Sequence, residues 1–64
     1  MNKCTSYFEA ATMAARFETE GNYAQAEFLW RTARNLAKKT CNELWCQARA
    51  DICERKSISA FSNQ

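Results

Sequence analysis

The residues best equipped for chemistry are four cysteines, Cys4, Cys41, Cys46 and Cys53, in a chain of 64 residues that has no histidine. A zinc centre needs four thiolate or imidazole ligands at tight spacing. The run Cys41-x4-Cys46-x6-Cys53 is too open for that, so no metal site is expected. Cys46 and Cys53 are seven residues apart, and on one helix that is a rise of roughly 10 Å, too far for a disulfide. The cysteines are therefore expected to be inert thiols that pack as small hydrophobes, with redox sensing as the lesser alternative. The carboxylates Glu18, Glu20, Glu27 and Glu43 fall at helix ends or on outer faces. With no His, no paired carboxylates in a cleft and no glycine-rich phosphate loop, neither catalytic residues nor a cofactor are expected.

The cations raise a different possibility. Arg31, Arg34 and Lys38 are spaced three and four apart and share one exposed side of a helix, where they could meet phosphates. Glu27 lies on the same side and offsets part of that charge, and the net charge is only +2. A nucleic-acid binder of this size carries a denser basic face. A DNA-reading helix-turn-helix also presents polar residues from its second helix, whereas the helix here is long and centred on Trp30. Direct DNA binding is thus disfavoured.

The elements that position these residues are helices. The chain has no proline and a single glycine, and good helix formers dominate it. The expected fold is all-α: a three-helix antiparallel bundle in a single domain, 1–64, with its ordered helical part over 5–57 and a tail over 58–64. The first helix opens at Ser6, where Ser-Tyr-Phe-Glu has the form of a capping box. It carries apolar residues at Tyr7, Phe8, Ala11, Ala14 and Ala15, widened by Met13 and Phe17, and stops at Gly21, which suits a left-handed C′ position. The second follows Asn22 and buries Ala26, Leu29, Trp30, Ala33, Leu36 and Ala37 at helical spacing. Lys38 and Lys39 suit its C-terminal end, and Lys-Thr-Cys-Asn is the expected connection. The third is expected to begin after an N-cap at Asn42, to turn Trp45, Ala48 and Ile52 inward with Leu44 as a further candidate for that face, and to fade over Lys56–Ser59. The expected core is Ala14, Gly21, Tyr23, Ala26, Leu29, Trp30, Ala33, Trp45, Ala48 and Ile52.

A core this small seldom supplies more than about 3–5 kcal/mol, so the chain is expected to act with a partner or as a homodimer. Large apolar side chains are left over. Phe8, Phe17, Phe28, Ile58 and Phe61 are too many for three short helices to cover, and they are the candidate interface. Phe28 in particular lies off the stripe of the second helix. No run of 18 apolar residues is present and the start has no apolar leader segment, so no membrane association and a reducing cytoplasm are expected.

Gly21, Tyr23, Ala26, Trp30 and Ala33 resemble the turn glycine, tyrosine and second-helix small and large positions of a tetratricopeptide unit. On that pattern the third helix is a capping helix. A longer resemblance covers Ala14 to Arg55. Glu18, Gly21, Tyr23, Ala26, Trp30, Ala33, Asn42, Trp45, Arg49, Cys53, Glu54 and Arg55, with the run NELWCQARADICER, resemble the ANR family of AraC negative regulators. The resemblance implies a small cytoplasmic protein that binds an AraC-family activator of virulence genes and inhibits it by direct contact. PerC-like regulators share the G-x-Y-x-x-A…W middle. They supply the alternative expectation of a DNA- or nucleoid-associated transcriptional regulator.

Overall fold

The computed structural model describes residues 6–62, with side chains to residue 59. It is an all-α three-helix bundle: α1 Tyr7–Thr19, α2 Tyr23–Leu36 and α3 Thr40–Ser62. The middle helix α2 packs against both α1 and α3. The arrangement is a slab of 37 × 27 × 14 Å, little thicker than one helix with its side chains.

The start of α1 follows from the capping box. The Glu9 amide donates to Ser6 Oγ at 3.2 Å and the Ser6 amide donates to Glu9 Oε1 at 3.2 Å, so two otherwise orphaned amides are satisfied. Its end is a Schellman motif. The Asn22 amide donates to the Phe17 carbonyl at 2.8 Å and the Gly21 amide to the Glu18 carbonyl at 3.0 Å. That pattern requires the left-handed region at Gly21, whose φ is +83°. Asn22 is the N-cap of α2, but its side chain makes no capping bond.

The packed core consists of Ala10, Ala14, Ala26, Trp30, Ala33, Cys46, Ala50 and Cys53. Trp30 is its one large member. Small residues dominate because the helices approach closely, and Trp30 fills the space that they leave. Tyr7, Ala11, Phe17, Tyr23 and Leu29 are half-buried and flank it.

Several expectations need correction. Trp45 and Ala48 are exposed, and Ile52 is only half-buried. The inner stripe of α3 is Cys46, Ala50 and Cys53 instead, so the helix is turned by about a third of a revolution from the expected face. The α3 residues that face the other helices are small, and the one large side chain of the core, Trp30, comes from α2. Gly21 is an exposed turn residue and no part of the core. Phe17, expected at an interface, is half-buried against the core. Leu36 is exposed.

The element ends also differ. α2 stops at Leu36, and α3 starts at Thr40, with the Glu43 amide already bonded to the Lys39 carbonyl at 3.0 Å. Asn42 thus lies inside the helix rather than capping it, and Lys38 and Lys39 belong to the connection. α3 runs on to Ser62 instead of fading near Lys56, because no glycine or proline stops it. The Cys4 residue and the Phe61 side chain lie outside the described residues.

Candidate functional site

A polar network joins all three helices at Glu18. Its carboxylate, near the C-terminal end of α1, accepts from the Trp30 indole Nε1 of α2 at 3.1 Å. The other oxygen accepts from the Arg49 guanidinium of α3. The Glu18 side chain keeps only 12% of its surface exposed. This corrects the expectation of a solvated outer-face carboxylate: Glu18 holds the core tryptophan by its polar end. Arg49 in turn lies 5.5 Å from the centre of the Trp45 ring, and Lys56 lies 5.3 Å from the centre of the Tyr23 ring. Such stacking favours a cation over an aromatic face. Together with Ala15 and Thr19, these residues line an open groove of 430 Å³.

On the side of α2 that carries Arg31 and Arg34, a second polar seam ties α2 to α3. Arg31 Nε donates to Glu27 at 3.1 Å and its Nη2 to Glu54 at 3.1 Å, with Asp51 at 3.9 Å. Arg34 donates to Gln47, and Gln47 donates to Asp51 at 2.9 Å. Two of the three cations expected to share a basic face are therefore held by side chains of their own chain. Lys38 is exposed and lines a separate 380 Å³ groove with Ser6, Tyr7, Leu36, Lys39 and Asn42.

The thiols divide by burial. Cys46 and Cys53 are 0% exposed and are the largest fully buried side chains. Burial pushes both thiols above their ordinary value; at Cys46 the bond to Tyr7 opposes this, and at Cys53 the nearby Arg49 and Lys56 do. The Cys46 Sγ and the Tyr7 hydroxyl are in hydrogen-bond contact at 3.9 Å, and burial likewise raises Tyr7. Protonated, enclosed thiols are poor nucleophiles. Cys41 is exposed. Among the described residues no group of three Cys, His, Asp or Glu side chains is placed to hold a metal ion.

Comparison with protein-family models, with curated proteins and with solved structures gave no match to this chain.

Of the candidate interface residues, Phe8 is 74% exposed, Phe28 65% and Ile58 58%. They do not form one patch along a single helix: Phe8 lies on α1, Phe28 on the back of α2 and Ile58 on α3. Sequence reasoning missed Glu18 and Arg49 as a pair. The signal available was weak: an acidic residue near the end of one helix and a basic one inside another, 31 positions apart. It also missed Trp45 as a surface residue. Leu44 and Met13 add to the exposed apolar area. No helix among the described residues is long and apolar enough to cross a membrane.

Proposed function

We propose that this chain is a small regulator that acts by protein contact, and that its target is an AraC-family transcriptional activator, which it inhibits. The carrying observation is the surplus of large apolar side chains at the surface, with Phe8, Phe28, Leu44, Trp45 and Ile58 all more than half exposed. We read this exposed apolar area, spread over all three helices, as surface that a protein partner covers. The choice of an AraC-family activator rests on the resemblance of Ala14 to Arg55 to the ANR pattern. In this reading the apolar surface docks on the activator's dimerisation or linker region and lowers the population of the DNA-binding dimer. It places the protein in the cytoplasm, acting on virulence genes, without catalysis or cofactor.

The alternative, a PerC-like regulator that touches DNA, draws less support. Arg31 and Arg34, two of the three cations on the one helix face suited to phosphates, are engaged within the fold. Salt separates the readings. Operator DNA bearing a purified AraC-family activator is titrated with this chain at low and moderate salt. The contact reading expects loss of the activator–DNA complex, no direct DNA binding, and little change with salt. Direct binding to DNA that weakens by orders of magnitude over the same range is the signature of phosphate contacts and overturns the contact reading.

A further inference from the structure

The outer face of α1 repeats at coiled-coil spacing. Phe8, Thr12, Ala15 and Thr19 follow one another at intervals of four, three and four residues, and all four are exposed. Thr12 and Ala15 in the middle are small. Phe8 at one end projects from the surface, and at the other end Ala15 and Thr19 border the aromatic groove that holds Tyr23 and Trp45. Projection and recess thus lie on the same face of the same helix, roughly 16 Å apart by helix rise.

We propose that this face is a homodimer interface, in which α1 of a second copy packs antiparallel about a two-fold axis through the Thr12–Ala15 segment. An isologous interface needs a surface complementary to itself. In the register that sets Thr12 against Ala15 of the second copy, Phe8 falls against Thr19 of the second copy and reaches its groove. The symmetry seats the second Phe8 in the first groove. The small central residues let the two helices approach closely.

Charge selects this occupant. Glu9 and Arg16 flank the stripe on the same side, both exposed, and neither makes an ion pair among the described residues. In the antiparallel register each Glu9 meets Arg16 of the second copy, giving two opposite-charge pairs, one on either side of the axis. A parallel pairing sets like residues level and loses this match. Nucleic acid fits the face poorly, because the flanks of the stripe carry as much negative charge, on Glu9, as positive, on Arg16.

The test is sedimentation-based mass measurement of the full chain over a wide concentration series. The wild-type chain is expected to dimerise. Phe8→Ala is expected to raise the dimer dissociation constant by about tenfold or more while the helical spectrum is kept. Arg16→Glu is expected to weaken the dimer by bringing like charges together, and Arg16→Glu combined with Glu9→Lys to recover it. Because Glu9 also closes the capping box, thermal melts accompany that pair, and recovery is judged on association at matched folded fraction. Phe28→Ala, on the back of α2, is expected to leave dimerisation unchanged. A wild-type chain that stays monomeric throughout overturns the proposal and leaves the face to a different partner. So does a folded Phe8→Ala variant that dimerises like wild type, a charge exchange that recovers nothing, or a dimer that Phe28→Ala dissolves. None of these outcomes is read from the activator, so failure of the dimer is distinguishable from failure of the activator reading, to which Phe28, Leu44 and Ile58 remain exposed.

Discussion

Trp30 is the residue on which the core depends, and it is held in two ways. Its ring is buried among alanines and cysteines, and its indole N–H is bonded to Glu18. Trp30→Ala is expected to unfold the domain, since emptying a buried tryptophan site costs about 3–5 kcal/mol and a small core has little more than that to lose. Glu18→Ala should also be costly, about 2 kcal/mol or more, because it strands both the indole N–H and the Arg49 guanidinium. Trp45→Ala, by contrast, removes an exposed ring and should move the melting temperature little. Chemical denaturation of the three variants orders them, and a Trp45→Ala variant less stable than Glu18→Ala would contradict the assignment of core and surface.

The buried thiols make stability depend on pH. Burial holds Cys46 and Cys53 above the ordinary thiol value of 9.0. As pH rises, the unfolded chain loses these protons first, so their contribution is intact below about pH 9 and is lost above it. Melting temperature is expected to be flat near neutral pH and to fall in the alkaline range. The fall should be smaller in a Cys46→Ala, Cys53→Ala variant, once its lower baseline from lost packing is subtracted. An equal alkaline fall in both chains would remove the thiols as its cause, leaving Tyr7, which burial also raises.

At the scale of the element, the α1–α2 turn is set by one residue. Gly21 has φ +83°, and a Cβ placed there meets nothing within 4 Å. The penalty of a side chain is therefore one of backbone conformation rather than collision. Gly21→Val is expected to cost roughly 1–2 kcal/mol, and Gly21→Asn less, since asparagine tolerates the left-handed region. Ser6→Ala opens the capping box and should cost about 1 kcal/mol. Thermal melts followed by circular dichroism check both. A Gly21→Val chain that melts with wild type would mean that the Schellman turn is dispensable.

For the whole molecule the question is what the surface meets. Phe28 sits on the face of α2 opposite Ala26 and Trp30, with most of its ring in water. If that face takes the activator, Phe28→Ala should weaken activator binding by about tenfold or more while leaving the melt unchanged, as expected for an aromatic anchor at an interface. A two-hybrid or pull-down assay beside the melt reads both quantities. Unchanged binding would move the contact to the α3 surface around Leu44 and Trp45.

The sequence by itself determined the local features. Helix content follows from the absence of proline and the scarcity of glycine. The capping box at Ser6 and the turn at Gly21 are bonds between residues within five positions of each other, so their chemistry is legible in short stretches. The α2 stripe was legible too, because Ala26, Trp30 and Ala33 have helical spacing and no rival stripe competes with them. On α3 two stripes compete, Trp45–Ala48–Ile52 and Cys46–Ala50–Cys53. Hydrophobicity favours the first, while the closed bundle buries the second. That choice depends on which side of α3 meets α2, and no single helix encodes it. The same holds for Glu18, Trp30 and Arg49, which lie on three helices and become one network only when the bundle closes. Tertiary structure decided which side chains are neighbours across helices, and therefore which aromatic rings were buried and which were left in water.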